Sequence, residues 1–505
     1  MIREADAYTI EHEPIADIDL MERAAGKCAD WLIENIPYGH KIMVFCGSGN
    51  NGGDGLAIAR LLLYTRYQVE VFPLARPDQM SPSCRINYQR LEENHPDCII
   101  RQISSIDIEK DLTFPETDEK TVVIDAIFGS GLTRLPEGRI ARVIDRINES
   151  KAVVVAIDLP SGLFCDESIR GEGNPSVIQA DYTLTFSPPK LAFFFPENDK
   201  FVGDWKLLDI GLSANFLKAV PVCNFMVEAG DVMQILKKRN KFAHKGNFGH
   251  ALLVCGSTGK MGAAVLAAKA CMRSGTGLAT VHIPASGAAI LQTAVPEAML
   301  SIDPDGDNFT DVPDLSHFSA IAAGPGIGTG NRTSQALKLL IQQSPVPLIF
   351  DADAINILAE NKTWLAFIPK GSVFTPHPKE FERLVGKSAN DFERNALQRE
   401  FSCKNRCYVV LKGAHSAIAT PDGSCFFNTT GNPGMATGGS GDVLTGIIAG
   451  LMAQGYTSLE SCIFGVFIHG LAGDFAMTDL GLESLIASDI IENLGQSFRH
   501  LYGKF

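Results

Sequence analysis

Short apolar runs rich in β-branched residues alternate with helical patterns along the whole chain. In the first half the runs are KIMVFCG, TVVIDAIFG, AVVVAIDLPSG and ADYTLTF. In the second half they are HALLVCGS, LATVHIP, SAIAAGPG, PLIFDADA, SVFTPHP and CYVVLKGA. Most of them lead through glycine or polar residues into a helical pattern, which is typical of parallel sheets covered by helices. The pattern therefore predicts an α/β fold.

A stretch without such motifs, residues 207–236, separates the two halves. We place the boundary between residues 212 and 228, which gives one domain at residues 1–215 and a second at residues 226–505. The length of 505 residues is enough for two large α/β domains. Open parallel sheets bind ligands outside the carboxyl ends of their strands. We therefore expect two separate crevices, one in each half.

Composition narrows the class of partner. Hydrophobic residues make up 45% and charged residues 20% of the chain, which is ordinary for a globular protein. The formal net charge of -14 argues against nucleic acid and anionic membranes as general partners. No uninterrupted apolar run reaches membrane-spanning length. A small molecule is the favoured partner.

The cysteines and the N-terminal segment indicate a cytoplasmic protein. The 12 cysteines are scattered without CxxC or paired-ligand spacing, so they are expected to be reduced core thiols. The segment MIREADAYTIEHEPIADIDLMERAAG mixes acidic and apolar residues and lacks the order of a signal or transit peptide.

The segment CGSGNNGGDGLAIARLLL predicts a glycine turn between a strand and a helix. Glycines allow close approach of a ligand, and amides at a helix start favour a phosphate. A tight structural turn would need glycine as well. Asn50, Asn51 and Asp54 favour a binding site, because a purely structural turn has no need of three polar side chains.

Asp125, Asp158 and Ser161 end the next two long strands, so their loops should converge with the glycine turn. Their oxygens could hold a hard cation, and a carboxylate with a raised pKa could move a proton. Helix capping or loop ordering is the alternative for each acid taken singly.

GNPGMATGGSGDVLTGIIAG predicts a second glycine-rich loop, followed by a helix with Asp442 at its start. Free N–H groups at a helix start form an anion site. A carboxylate beside that site makes sense if it takes the proton of a hydroxyl that attacks a phosphoryl group. An N-cap aspartate is the alternative for the acid alone.

Further polar residues end neighbouring strands of the second half. Lys412 in LKGAHS could meet a nucleotide phosphate, and His377 lies in a rigid turn between two prolines. A lone histidine of this kind is more often a structural hydrogen-bonding residue. Asp351 and Asp353 could bind magnesium or merely finish a strand.

Taken in order, the motifs of each half resemble a known family. HKGNFGHALLVCGSTGKMGAA, GPGIGTG, FDADAINIL, TPHPKEFERL, LKGAHSAIA and GNPGMATGGSGDVLTGIIAG resemble the ADP- or ATP-dependent NAD(P)H-hydrate dehydratases of the ribokinase-like superfamily. LMERAAG, GSGNNGGDGLAIARLL, VIDAIFGSGL, IDLPSG and FSPPKLAFFFPE resemble the NAD(P)H-hydrate epimerase domain. The FFF in the last motif is bulkier than that family's loop.

The resemblance implies a two-step repair of hydrated NADH and NADPH. The first domain, Rossmann-like, would interconvert the R and S epimers. The second, ribokinase-like, would dehydrate the S epimer by phosphorylating its hydroxyl with ADP or ATP. Both are expected to be three-layer α/β/α domains, and the bacterial style of fusion favours ADP.

The resemblance also implies site residues. In the epimerase domain these are substrate contacts at Asn50, Asn51, Gly52, Gly53, Asp54, Gly129, Ser130, Gly131, Leu132, Thr133, Arg134, Leu135 and the catalytic Asp158, and potassium ligands at Asn51, Asp125 and Ser161. In the dehydratase domain they are hydrate contacts at Ala263, Gly326, His377 and the catalytic Asp442, and nucleotide contacts at Lys412, Gly413, Ala414, His415, Ser416 and Gly441.

The expected cofactors are K⁺ in the first domain and Mg²⁺ in the second, with ADP or ATP as co-substrate. We also expect a homo-oligomer without nucleic-acid or membrane partners. One alternative is a ribokinase-like small-molecule kinase whose N-terminal domain only regulates. Another is a binding scaffold, because epimerase-like domains also occur in RNA-decay proteins.

Overall fold

The computed structural model describes residues 2–13, 15–65, 67–103, 114–169, 173 and 175–503. The described chain divides into two compact units. The first is Met1–Pro221 with Asn390–Phe392, and the second is Val222–Ala389 with Glu393–Phe505. The first strand of the second unit, Asn224–Val227, begins before residue 226, where the sequence placed the start of the second domain.

Seven described strands form the parallel sheet of the first unit, in the order β3-β2-β1-β4-β5-β6-β7. They are β1 Lys41–Cys46, β2 Gln68–Pro73, β3 Ile99–Ile100, β4 Thr121–Ala126, β5 Val153–Ile157, β6 Tyr182–Phe186 and β7 Asp204–Leu208. The helices are Ile2–His12, Asp17–Asn35, Asn50–Leu63, Pro82–Asn94, Gly138–Asn148, Asp199–Val202 and Ala214–Ala219. The strand order reverses between β1 and β4, where such sheets open a ligand crevice.

Both faces of this sheet are covered by helices. Along β1, Ile42 and Val44 belong to a core cluster with the helices Asp17–Asn35 and Asn50–Leu63. Met43 and Phe45 belong to the cluster on the other side, with the helix Gly138–Asn148. Because successive side chains of a strand point to opposite faces, a strand covered on both sides is apolar throughout.

Ten described strands form the sheet of the second unit, in the order β11-β10-β9-β12-β13-β14-β15-β16-β17-β8. They are β8 Asn224–Val227, β9 His250–Val254, β10 Leu278–Pro284, β11 Met299–Asp303, β12 Ala320–Ala323, β13 Leu348–Phe350, β14 Val373–Phe374, β15 Tyr408–Leu411, β16 Ala417–Ala419 and β17 Cys425–Asn428. β16 runs antiparallel to β15 and β17, and the other pairs are parallel.

Helices cover both faces of the second sheet as well. They are Ala229–Ile235, Met261–Arg273, Ala288–Ala294, Asn331–Gln343, Ala352–Glu360, Pro378–Val385, Asp391–Asn405, Ser440–Ala453, Ser458–Leu480 and Ala487–Leu501. The ten strands predicted from the sequence are all present, so the predicted α/β fold class with parallel sheets is confirmed.

Among the described helices, Ser458–Leu480 is long and apolar enough to cross a membrane by length and composition. In the structure 72% of its apolar window is buried inside the protein. Its side chains Phe464, Ile468 and Ala472 belong to the core cluster on one face of the sheet. Burial against other helices therefore accounts for its apolar composition.

Candidate functional site

The first crevice is a cleft of about 900 Å³ at the carboxyl ends of β1, β4 and β5. The predicted residues that line it are Asn50, Asn51, Asp54, residues 129–135 and Asp158. Gly52 and Gly53 lie behind it in the helix Asn50–Leu63, where both are buried. A Cβ on Gly52 would lie 2.0 Å from the carbonyl oxygen of Gly47, so the turn requires glycine there.

Asp158 is buried directly after β5, in a left-handed backbone conformation with φ of 66°. Few residues adopt this conformation, although aspartate tolerates it better than most. Its Oδ2 accepts a hydrogen bond from the Ser130 backbone N–H at 3.0 Å. The strained backbone and this contact aim the carboxylate at the 129–135 loop.

Asp158 forms an ion pair with Lys190, a residue that the sequence did not indicate as part of the site. Its Nζ lies 2.5 Å from Asp158 Oδ1 and donates to the Phe186 carbonyl at 2.9 Å, and the residue is 2% exposed. Burial pushes the pKa of Asp158 up, but Lys190 and the Ser130 amide hold it below its ordinary value. Asp158 is therefore ionised at neutral pH.

Two of the other carboxyls that line the cleft have pKa values shifted in the opposite direction, upward. Burial, reinforced by the charge of Asp158, raises the pKa of Asp6 to about 6. The same two causes place the pKa of Asp54 well above its ordinary value. A carboxylate held ionised beside carboxyls that bind protons more tightly is a typical arrangement for acid–base chemistry.

Asp125 and Ser161 lie behind the cleft. Asp125 is fully buried, and its two oxygens accept from the Ser161 hydroxyl at 2.6 Å and the Ser161 backbone N–H at 2.8 Å. Burial raises the pKa of Asp125 to about 6 despite these hydrogen bonds. The Asn51 side chain is buried, with both amide atoms lacking a hydrogen-bond partner among the described residues. A buried amide and a buried carboxylate without a cation suit an oxygen-coordinated monovalent ion.

The second crevice is built around the start of the helix Ser440–Ala453. The preceding residue, Gly439, has φ of 93°. The N–H groups of Gly441 and Asp442 have no acceptor among the described residues, whereas the next N–H, of Val443, donates to the Gly439 carbonyl. Two unpaired N–H groups at a helix start form an anion site.

Lys412 lies beside these amides, at the carboxyl end of β15. A Cβ on Gly441 would lie 3.1 Å from Lys412 Nζ, so the absent side chain leaves room for the ammonium group. Lys412 Nζ is 2.9 Å from Asp351 Oδ1, and the Thr445 hydroxyl donates to Asp351 Oδ2 at 2.8 Å. Burial alone would lower the pKa of Lys412, but Asp351 raises it. Lys412 therefore stays charged.

Asp442 shares this environment. Burial raises its pKa to about 6, assisted by the charge of Asp351 and opposed by Lys412. A carboxylate with this pKa is ionised at neutral pH, yet it is a stronger base than an exposed aspartate.

The structure also brings Ala263 and Gly326 together. A Cβ on Gly326 would lie 3.3 Å from that of Ala263. His377 caps the helix Pro378–Val385, because its Nδ1 accepts from the Lys379 backbone N–H at 3.1 Å. Burial lowers its pKa, with Glu380 opposing that effect. The structural role that the sequence left open for His377 is therefore present.

The predicted nucleotide loop, residues 412–416, forms the turn between β15 and β16. The Ser416 hydroxyl donates to the Gly413 carbonyl at 3.1 Å, and the His415 ring lies 2.9 Å from the Asn428 carbonyl. Ala414 is exposed on this turn. These hydrogen bonds therefore stabilise the conformation of the loop next to Lys412.

The glycine-rich loop is clamped from the helix Ser458–Leu480. Asp474 accepts from the backbone N–H of Gly431 and the side-chain amide of Asn432, each at 3.0 Å. His469 Nε2 donates to the Ser440 carbonyl at 3.0 Å, and burial lowers its pKa to about 4, so the ring is neutral. These two residues fix both ends of the loop.

Comparison with known proteins decides the family. Residues 251–496 match the model described as NAD(P)H-hydrate dehydratase, and residues 17–192 match the YjeF-related protein N-terminus. A bifunctional NAD(P)H-hydrate repair enzyme from Moorella thermoacetica is 35% identical over 500 residues, covering 96% of this chain and 93% of that protein. One from Synechocystis is 36% identical over 513 residues, covering 96% and 91%. The chain belongs to the bifunctional NAD(P)H-hydrate repair enzyme family.

Two solved structures each align with just over half of this member of the repair-enzyme family. The ADP/ATP-dependent NAD(P)H-hydrate dehydratase of Bacillus subtilis, co-crystallised with ATP and Mg²⁺, is 31% identical with a TM-score of 0.48, covering 54% of this chain and 97% of that one. A ribokinase-like superfamily protein of Enterococcus faecalis is 28% identical with a TM-score of 0.49, covering 56% and 98%.

For Asp351 and Asp353 the sequence left magnesium binding and a structural role open. In the structure both carboxylates contact other groups of the protein. Asp351 holds Lys412 and Thr445, as described above. Asp353 Oδ2 lies 3.2 Å from Lys260 Nζ and accepts from the Gly328 backbone N–H at 2.8 Å. The described residues contain no group of three or more histidine, cysteine, aspartate or glutamate side chains placed to hold a metal ion.

Proposed function

We propose that the first unit interconverts the R and S epimers of hydrated NADH and NADPH, and that the second dehydrates the S epimer with ADP or ATP. One observation carries the dehydratase half of the proposal. Asp442, whose pKa is raised to about 6, begins a helix whose first N–H groups are unpaired beside the charged Lys412. This combines a base with an anion site, as phosphoryl transfer to an alcohol requires.

The chemistry follows from the leaving group. Hydroxide leaves carbon poorly, and phosphate leaves well. Asp442 takes the proton of the substrate hydroxyl as its oxygen attacks the terminal phosphorus, while Lys412 and the Gly441 and Asp442 amides stabilise the phosphoryl oxygens. The phosphate then departs with the C–O electron pair, and a proton is lost from the neighbouring ring carbon. The products are NAD(P)H, phosphate and the nucleotide shortened by one phosphate.

The epimerase half of the proposal rests on the Asp158–Lys190 pair and the carboxyls of raised pKa around it. Asp158 stays ionised and accepts a proton or faces a developing positive charge on the hydrated ring. Asp6 or Asp54 supplies a proton to the departing hydroxyl, which leaves as water, and takes a proton back when water returns to the ring. The amides at the start of the helix Asn50–Leu63 and the 129–135 loop receive the phosphates of the dinucleotide.

We propose K⁺ as the ion that Asn51, Asp125 and Ser161 serve in the first unit. Its support is the unpaired Asn51 amide together with a fully buried Asp125 without a cationic partner among the described residues. A bound cation would offset the buried charge and fix the loops that carry Asp158 and Gly129.

Removing K⁺ is expected to slow epimerisation and destabilise the first unit. Thermal unfolding of the full chain in potassium against choline chloride should show a stabilisation of about 1.4 kcal/mol when K⁺ is at tenfold its Kd. Asp125→Asn should abolish that difference. The rate of S-epimer dehydration is the internal control and should not respond to K⁺. An equal response in Asp125→Asn and the unmodified chain would refute the assignment.

In the second unit the carboxylates Asp351 and Asp353 are occupied by lysine side chains and hydrogen-bond donors. We therefore propose that Mg²⁺ arrives on the phosphates of ADP or ATP and keeps most of its water, as this ion commonly does. It would offset the charge of the transferring phosphoryl group. The Lys412–Ser416 turn and Gly441 would receive the nucleotide, and Ala263, Gly326 and His377 the hydrate.

Dehydration is expected to lose activity in acid. Because Asp442 must be ionised to act as a base, kcat/KM for the S epimer should fall about tenfold per pH unit below its pKa of about 6. The measurement is the initial rate of return of the 340 nm absorbance between pH 5 and 8, with the enzyme-free rate subtracted at each pH. A flat profile down to pH 5 would remove Asp442 from the role of base.

A coupled assay on a mixed-epimer hydrate tests the whole proposal, with ADP and ATP in parallel. Complete conversion to NAD(P)H requires both activities. A plateau at the S epimer's share would show an inactive first unit. A stable phosphorylated alcohol in place of NAD(P)H would instead favour the small-molecule kinase. The cytoplasmic location, the homo-oligomer and the absence of nucleic-acid and membrane partners remain predictions from the sequence.

A further inference from the structure

The second unit contains another cleft, of about 580 Å³, at the amino ends of its strands. Phe248 lies just before β9 and Gly275 just before β10, so this cleft opens at the edge of the sheet opposite to Asp442 and Lys412. None of the candidate site residues of either unit lines it. We call it the basic cleft and define it by Lys237, Lys238, Arg239, Phe242, Phe248, Arg273, Gln454, Tyr456 and Tyr502.

The basic cleft is positively charged within an acidic protein. Lys237, Lys238, Arg239 and Arg273 line it, and the residues described around it include no aspartate or glutamate. Residues 232–296 contain no acidic residue at all, whereas the chain as a whole carries a net charge of -14. This local concentration of positive charge favours an anionic ligand.

Lys237 and Arg239 donate hydrogen bonds to neutral acceptors, so no carboxylate offsets their positive charges. Lys237 Nζ donates to the Gly455 carbonyl at 2.6 Å. Arg239 Nη2 donates to Gln454 Oε1 at 2.8 Å. Arg273 is 3.6 Å from Glu492, an exposed pair that contributes little stability. Lys238 has neither a hydrogen-bond nor an ion-pair partner within the described part of the chain.

Aromatic rings form the other walls. Tyr456 lies 4.3 Å from Lys237 Nζ, measured to its ring centroid, and Phe248 lies 4.0 Å from the Arg239 guanidinium carbon. The Lys237 backbone N–H also donates to the Tyr456 hydroxyl at 3.0 Å. These contacts fix the two cations in place. Phe242, in contrast, is 93% exposed and offers a flat apolar ring at the mouth of the cleft.

We propose that the basic cleft is a second nucleotide-binding site, separate from the site at Asp442. Phosphate groups bind the uncompensated charges of Lys238 and Arg239 and the exposed guanidinium of Arg273, and the base stacks on Phe242. The volume falls within the range of small-molecule sites and suits one mononucleotide. An extended nucleic acid is disfavoured, because the acidic remainder of the chain would repel it.

The test is calorimetric titration of the full-length protein with ADP. Lys412→Ala removes the ADP that binds at the Asp442 site and should leave one ADP per chain. Lys238→Glu in that background should weaken the remaining binding at least tenfold, and Phe242→Ser should weaken it several-fold. Lys238 and Phe242 are exposed, so neither substitution is expected to disturb folding. The matched control is Lys404→Glu, a charge reversal at an exposed lysine of the same unit outside the cleft.

Three results would overturn the proposal. One is no measurable ADP binding in the Lys412→Ala protein. Another is an equal loss with Lys404→Glu, which would show a non-specific charge effect. The third is a change in oligomeric state with Lys238→Glu at unchanged ADP affinity, which would make the cleft an interface between copies. If Lys412→Ala leaves binding unchanged while Lys238→Glu still removes one ADP, the basic cleft stands and the proposed catalytic nucleotide site fails.

Discussion

Asp442→Asn is expected to abolish nucleotide-dependent dehydration of the S epimer, with a loss of about 10²- to 10⁴-fold in kcat. The asparagine side chain keeps the shape of aspartate but cannot take the hydroxyl proton. Stability should not suffer, because burial and the charge of Asp351 already disfavour the ionised carboxylate. The measurement is the initial rate of return of the 340 nm absorbance with pure S hydrate and ADP or ATP, alongside thermal unfolding.

Two comparisons make this result specific. Exchange between R and S epimers should continue unchanged in Asp442→Asn, since the Asp158 cleft belongs to the other unit. Asp479→Asn, an exposed aspartate of the same unit, is the matched substitution and should leave dehydration intact. Retention of more than a tenth of the dehydration rate in Asp442→Asn would show that another group accepts the proton.

Asp158→Asn is expected to reduce epimerisation by about 10²- to 10⁴-fold and leave dehydration of pure S epimer unchanged. The amide still accepts the Ser130 N–H but no longer carries the charge that faces the ring. Lys190 then remains buried without its carboxylate, which is costly by about 3–5 kcal/mol. The first unit should therefore unfold at a lower temperature, and epimer exchange followed by chromatography should be slow well below that temperature.

The double variant Asp158→Asn/Lys190→Met separates chemistry from folding. Removing both charges should restore much of the lost stability, because no buried ammonium is left unpaired. Epimerisation should stay at the level of Asp158→Asn. Recovery of epimerisation in the double variant would reduce Asp158 to a structural role, and loss of S-epimer dehydration in either variant would contradict the assignment of one activity to each unit.

The fold could be predicted well because its central strands are apolar on both faces. β1, β5 and β9 contain continuous apolar runs that end at a turn, and such runs are characteristic of strands buried between two layers of helices. Most of the strands that the sequence did not indicate are short, lie at the edges or pair antiparallel. The exception is β2, which has six residues and pairs parallel with β1 and β3. β3 has two residues and β16 has three, too few for a period to be recognised.

The candidate site could be predicted only as far as local motifs extend. The carboxylates and glycines at strand ends were visible, because the carboxyl ends of parallel strands must meet. Lys190 was not, since its pairing with Asp158 spans 32 positions and depends on how the chain turns after β6. Its only signal was a lysine in the FSPPKLAFFFPE motif after a strand, and the bulky Phe193 and Phe194 of that motif are buried.

His469 and Asp474 were missed for a related reason. Both lie in the apolar helix Ser458–Leu480, where a histidine is ordinarily a core residue and an aspartate near the end is ordinarily solvated. Only the packed structure shows that they bind the backbone of the loop 431–440. The contacts of Asp351 to Lys412 and Thr445 likewise join distant parts of the chain, so the sequence could not indicate them.

The helix Ser458–Leu480 also supports the anion site at Asp442 through two glycines that lie away from the substrate. A Cβ on Gly470 would lie 2.3 Å from the Thr430 hydroxyl oxygen, and one on Gly473 would lie 2.2 Å from the Met435 sulfur. A larger residue at Gly470 also meets the Thr430 backbone, at 2.6 Å, and displaces the loop that carries the anion-binding amides, whereas one at Gly473 displaces the Met435 side chain that packs under this loop. A random mutagenesis screen for loss of NADH repair should therefore recover substitutions at these two glycines as well as at Asp442, although the glycines take no part in the chemistry.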